Sequence, residues 1–191
     1  MRLRSRVPAQ LWAATALLAA LLPSARASAP LHATPEYSEY EVKAEFIERF
    51  TRFVVWPDSV FASADSAFVI CVWGSGPLAT QLERVVARGK VKDRPARLFH
   101  VEPNDGLDGC HILYVAVTDR AAVHGIMART RGKPILSVAD QPGFAEEGVL
   151  INLVVDEDGA VRFEINREVA NASGLKISAK LMRLARLVRS R

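Results

Sequence analysis

The chain has 191 residues, half of them hydrophobic and 24% charged, with 25 basic and 21 acidic side chains. Four of the basic residues, Arg2, Arg4, Arg6 and Arg26, fall in what reads as an export leader, so the remainder carries 21 of each sign and is neutral. Nucleic acid is therefore excluded as an expected partner, because phosphate binding needs a clustered basic surface. The length left after the leader suits one domain with one core.

Arg2, Arg4 and Arg6 form a positive start, Leu11 to Leu22 an apolar stretch, and Ala25-Arg26-Ala27 a small-x-small cleavage site. Residues 1–27 thus read as a cleavable signal peptide, with the mature chain starting at Ser28. The apolar stretch is shorter than the roughly 20 residues that a membrane-spanning helix needs. No cysteine follows for a lipid anchor and the arginines are not paired, which leaves plain export to the periplasm as the expectation. Residues 28–38, polar and with two prolines, read as a flexible lead-in, and 39–191 as the folded domain.

From Glu39 the apolar residues Val42, Phe46, Phe50, Phe53 and Val54 recur at helical spacing, and Trp56-Pro57 ends the helix. Ala67 to Trp73 reads as a buried strand, followed by Gly74-Ser75-Gly76-Pro77 and a helix on Leu78, Leu82, Val85 and Val86. Further strands are expected at Arg97 to Val101, His111 to Val117 and Pro134 to Val138, with a helix from Ala121 to Arg129. Alternating strands and helices imply crossover units and a largely parallel sheet. Val149 to Val155 and Ala160 to Ile165 flank Asp156-Glu157-Asp158-Gly159, a hairpin signal. A last helix from Ile177 is expected to turn Ile177, Leu181, Leu184 and Val188 inward. The fold class expected is α/β: a single three-layer domain with a mixed, largely parallel sheet, an antiparallel C-terminal hairpin and flanking helices.

Cys71 lies in the first of these strands and Cys110 at the start of the third, so neighbouring or once-removed strands bring them within bridging reach. An oxidising compartment favours a disulfide, with free thiols or a redox pair as alternatives. A thiol–base pair of Cys110 with His111 is disfavoured, because adjacent strand residues point to opposite faces and a buried thiol is not activated. Gly74 and Gly76 before a helix have the look of a phosphate turn, but the third glycine and the acidic ribose partner are missing. Asp156, Asp158 and Gly159 imitate part of a calcium loop, yet Val154 and Ile165 stand where its end ligands belong.

The four histidines, at 32, 100, 111 and 124, lack zinc spacing, and no G-x-S-x-G elbow occurs. No catalytic residue, metal or cofactor is expected. Glu39, Glu41, Glu45 and Glu48 make the first helix acidic against a basic last one, for pairing within the fold or for a partner surface. Phe144, in the Gln141-Pro142-Gly143-Phe144 loop, and Trp56 are the aromatic candidates for a partner contact, with filling a core gap the equal alternative for Phe144. A pocket for a small ligand at the carboxyl edge of the sheet, beside Gly74 and Gly76, is the rival reading.

Several segments in order resemble the YfiR-like family of small periplasmic proteins. They are Val42-Lys43-Ala44-x-Phe46-Ile47 through Phe53-Val54-x-Trp56-Pro57, Phe68 to Gly74, Cys110 to Val115, Gly132 to Val138, Gly148 to Leu153, Phe163 to Asn166 and Leu175 to Ser178. The resemblance spans almost all of the chain after the leader. It implies a non-enzymatic regulator that binds the periplasmic domain of an inner-membrane diguanylate cyclase and lowers cyclic-di-GMP synthesis. Similar domains beside sensor kinases make those an alternative partner, and dimers of the best-known member imply a homodimer. That member's second cysteine pair, linked to redox control, has no counterpart here, which leaves Cys71 and Cys110 as a structural bond.

Overall fold

The computed structural model describes residues 38–191; the leader, and the lead-in up to residue 37, lie outside the described residues. Helix α1, Glu39–Phe50, opens with a reciprocal cap: Ser38 Oγ accepts from the Glu41 N–H while the Glu41 carboxylate accepts from the Ser38 N–H. It stops at Phe50, short of the expected Phe53 and Val54. Instead Val54–Val55 is a strand, β1; the last helical carbonyls, of Glu48, Arg49 and Phe50, accept from the N–H groups of Thr51, Arg52 and Phe53, and Lys92 Nζ holds the link that follows by donating to Thr51 O and Val54 O at 2.9 and 2.8 Å.

After a 3-10 turn at Asp58–Val60 come β2 (Phe68–Gly74), α2 (Pro77–Ala87), β3 (Lys90–Val91) and β4 (Arg94–Val101). Gly74, at φ +93°, is required: a Cβ there would meet the Ala116 backbone at 3.2 Å and the Val117 side chain at 3.0 Å. Lys92 and Asp93, both at positive φ, form the two-residue turn between β3 and β4. Both residues are non-glycine, a conformation costing about 1 kcal/mol or more each, which the two hydrogen bonds of Lys92 to the Thr51 and Val54 carbonyls offset.

The chain continues with β5 (Ile112–Ala116), α3 (Arg120–Thr130), β6 (Leu136–Ala139), β7 (Ile151–Val155), β8 (Val161–Asn166), α4 (Arg167–Ala172), β9 (Lys176–Ile177), α5 (Ala179–Leu184) and β10 (Arg186–Val188). Eight strands form one sheet in the order β10-β8-β7-β6-β5-β2-β4-β3, and β1 pairs with β9 in a separate antiparallel ribbon. Within the large sheet only β7–β8 and β3–β4 are antiparallel, so the α/β class with a mixed, largely parallel sheet holds. The hairpin at Asp156 to Gly159 holds as well: Asp156 Oδ1 accepts from the Ala160 N–H, and Gly159 sits at φ +77°.

Two cores cover the two faces. On one, α1 and α2 pack with Phe68, Ile70, Val72, Ile112 and Tyr114; on the other, α3 packs with Cys71, Trp73, Leu113 and Val115. The acidic face of α1 meets α2 rather than the last helix, through Glu45–Arg88 at 2.5 Å and Glu41–Arg84 at 3.9 Å.

One expectation needs correction, and one open alternative is resolved. The last helix is only six residues long, Leu184 is 65% exposed, and the chain then extends as β10 parallel to β8. The reason is the buried Glu164 carboxylate on β8: Arg186 pairs with it, and Asn152 Nδ2 donates to it at 3.3 Å. A helix through residue 188 would carry Arg186 away from that charge. Phe144 is 2% exposed, packed with Ile126, Met127 and Val149 in the α3-side core, with the Arg120 guanidinium 5.8 Å from its ring. The loop folds back because Val149 N–H donates to Phe144 O. Phe144→Ala is expected to cost about 3–4 kcal/mol, read as a lower urea midpoint with an unchanged slope.

Candidate functional site

The cysteine pair is bonded, with Cα atoms 5.8 Å apart, and ties the middle of β2 to the residue before β5. Both cysteines are buried on the α3 side. His111, the next residue, turns to the opposite face and is 4% exposed, so no thiol–imidazole pair forms.

His111 is instead the knot between three segments. Its N–H donates to Val69 O at 2.9 Å, and its Nδ1 accepts from the Val69 N–H at 3.0 Å. Its carbonyl accepts from the Leu136 N–H at 2.9 Å and from Trp56 Nε1 at 3.1 Å. The imidazole is stacked between Phe61 and Phe68, at 4.6 and 4.9 Å between ring centres. Trp56 meets the far side of Phe68 edge-on at 5.0 Å, and the Arg94 guanidinium lies 3.9 Å from the centre of Phe61. Trp56 is therefore an internal anchor, 3% exposed, and not a surface aromatic. An accepting Nδ1 puts the proton of the neutral ring on Nε2, which is buried near the Val60 backbone without a hydrogen bond among the described residues.

At the carboxyl edge of the sheet, Asp140 just past β6 accepts from Tyr114 OH at 3.0 Å and from Lys43 Nζ at 3.2 Å. Lys43, on α1, also pairs with Glu39. Burial works against the Lys43 ammonium, yet Glu39 and Asp140 together raise its pKa; burial, then the Asp140 charge, pushes the Tyr114 phenol well up. Neither Lys43 nor Tyr114 exchanges a proton near neutrality, and the cluster anchors α1 over the sheet.

A cavity of about 390 Å³ lies between α3, the start of β6, the 146–148 turn and α4. At its rim Glu147 binds Arg120 and His124, at 2.6 and 2.5 Å, and the Arg120 hydrogen bond draws its pKa down. A space of that size admits a small molecule. No group of three or more His, Cys, Asp or Glu among the described residues has metal-holding geometry.

The most exposed aromatic side chain among the described residues is one that sequence reading passed over. Phe99 on β4 is 50% exposed and stands level with Cys71 in the register. The alternation of Arg97, Leu98, Phe99 and His100 with the charges at Lys90, Lys92, Asp93 and Arg94 is the pattern of an edge strand.

Burial, and after it the nearby Arg94 charge, lowers the His111 pKa to about 4. An unfolded histidine has a value of about 6.5, so as pH falls the unfolded chain takes up this proton before the folded one does. Stability is complete above pH about 6.5 and falls by at most about 3 kcal/mol on approaching pH 4. His111→Asn, which keeps an acceptor for Val69 and does not titrate, is expected to flatten that slope in urea titrations at stepped pH. Replacing Cys71 and Cys110 together by Ala opens a loop of 39 residues. The expected loss is about 4 kcal/mol at most, with reductant then having no further effect on the unfolding midpoint.

A family model described as YfiR/HmsC-like matches residues 40–186. Among solved structures, the ABC domain in complex with L-Trp from Streptococcus pneumonia matches with 13% identity and a TM-score of 0.49 over 78% of this chain. The chain spans 60% of that protein's length. No curated protein matches. With the family model covering nearly all of the described residues, the chain belongs to the YfiR/HmsC-like family.

Proposed function

We propose that this chain is a periplasmic regulatory protein that binds the periplasmic domain of an inner-membrane diguanylate cyclase and represses it, lowering cyclic-di-GMP output. The observation that carries this reading is the family match over residues 40–186. Residues 1–27 supply the export signal, and the Cys71–Cys110 bond suits an oxidising compartment. The protein works by binding, as a homodimer and not as an enzyme, and needs no cofactor. Its buried titratable groups support this: Lys43, Asp140 and Tyr114 are spent on one another, and His111 is held neutral inside an aromatic stack. Trp56 and Phe144 shape the domain from within and leave contact with the partner to exposed residues.

A second reading, a small-ligand sensor module for a membrane receptor or sensor kinase, is favoured by the cavity beside α3 and α4. Deleting the gene is expected to raise cyclic-di-GMP and biofilm, and a tagged copy is expected to retain a membrane cyclase in pull-down. Unchanged cyclic-di-GMP, with only a sensor kinase recovered, would replace the first reading by the second.

A further inference from the structure

The large sheet ends on one side in β3, but β3 covers only the start of β4: Lys90 faces Pro95 and Val91 faces Arg94. The Ala96 N–H is still taken, by Gly89 O at 3.1 Å. Beyond it, Arg97 to Val101 pair with β2 on one side and have no strand partner on the other among the described residues. At the far end the chain turns away, held by the Glu102 N–H to the Asp105 carboxylate at 2.9 Å. The open window is thus five residues long, and its centre is the half-exposed Phe99.

Backbone direction alternates along a strand. Since the Ala96 N–H points outward to β3, the outward amide and carbonyl groups in the window belong to Leu98 and His100, placed symmetrically about Phe99. We propose that a second copy of this chain docks there, the two β4 strands running antiparallel about a two-fold axis through Phe99. In that register Leu98 of each copy exchanges both of its backbone hydrogen bonds with His100 of the other, four bonds in all. The Ala96 amide is not called upon. A register centred on Leu98 would instead need that occupied amide, so the free groups select Phe99 as the centre.

The side chains fit the same axis. Phe99 faces Phe99 of the second copy as a non-hydrogen-bonded pair, where cross-strand side chains approach most closely. Arg97 lies diagonal to that ring, with its guanidinium within reach of the aromatic face. On the other face each copy brings a Glu83–His100 pair, 3.0 Å apart, beside its counterpart, so a carboxylate of one copy meets an imidazole of the other. A contact of this length belongs to the weak class, below about 1,200 Å², and self-association is therefore expected to depend on concentration. This assignment deepens the homodimer in the proposed function and is independent of which membrane protein is repressed.

The test is sedimentation velocity of the oxidised protein over a concentration series. The native chain is expected to move from monomer to dimer. Phe99→Glu and Phe99→Lys, each with an unchanged circular dichroism spectrum, are expected to remain monomeric, and a mixture of the two to dimerise, since the axis sets Glu against Lys. His100→Pro removes an outward N–H from an exposed residue and is expected to weaken association at least about tenfold, while Leu187→Glu on the opposite edge strand leaves it unchanged. A native chain that stays monomeric overturns the homodimer itself. A dimer that persists in the Phe99 variants, or a mixture that stays monomeric, overturns this edge and leaves the homodimer standing.

Discussion

Burial of β2 on both faces is the constraint from which the rest of the domain follows. From Phe68 to Trp73 its side chains point alternately into two cores, and only Val69 among them is less than fully buried. A strand of this kind needs a sheet neighbour on each side and a helix layer above and below, because no face is left for water. β4 and β5 supply the neighbours; α1 with α2, and α3, supply the layers. The disulfide and the His111 knot then hold this one strand from opposite faces, Cys71 on the α3 side and Phe68 against His111 on the other. Both devices bind the chain just before β5 to β2, so the central register is fixed twice.

Polar groups fix the outer parts where apolar packing alone leaves choices. A charge taken from water needs a partner of opposite sign in good geometry, and a wrong register leaves it alone at a cost of several kcal/mol. Lys43 and Asp140 thereby set the position of α1 over the ends of β5 and β6. Glu164 sets β10, and Asn166 adds to it: its Oδ1 caps α4 while its Nδ2 donates to Ala145 O and Ser190 Oγ. Lys92 ties the β3–β4 turn to the chain just after α1 through the Thr51 and Val54 carbonyls.

The central strands, the crossover helices and the β7–β8 hairpin were legible in the sequence because their signals are local: short Val- and Ile-rich runs, helical spacing, and Asp-Gly at a turn. The terminal segment was not. Leu181, Leu184 and Val188 satisfy a helical period as well as a strand does over so few residues, and what decides between them is Glu164, about 20 positions upstream on β8. Phe144 stayed open between core and surface for a related reason. Its Pro-Gly neighbours mark a turn correctly, but whether a turn's aromatic points in or out depends on the room left by Met127 and Val149. The bonded cysteines could be read from compartment and strand position, whereas Phe99 could not, because its exposure results from the shortness of β3.

The two edges of the sheet differ in the length of strand they present. The β10 edge ends in a strand of three residues, tied inward by its pairing with β8, by Arg186 on Glu164 and by Arg191 on Glu146. At the β4 edge, a residue level with the disulfide-bonded Cys71 carries a half-exposed aromatic ring. Because both sulfurs are shielded, reduction requires local opening of β2 against β5, and the bond serves as a staple under that edge. A stiff strand is what edge-to-edge pairing requires: the partner strand gains its hydrogen bonds only if the free amides and carbonyls already lie in line, and ordering them on binding would subtract about 1–2 kcal/mol per residue. In the proposed dimer the disulfide would contribute indirectly, by holding β2 in place beneath the strand that the second copy meets.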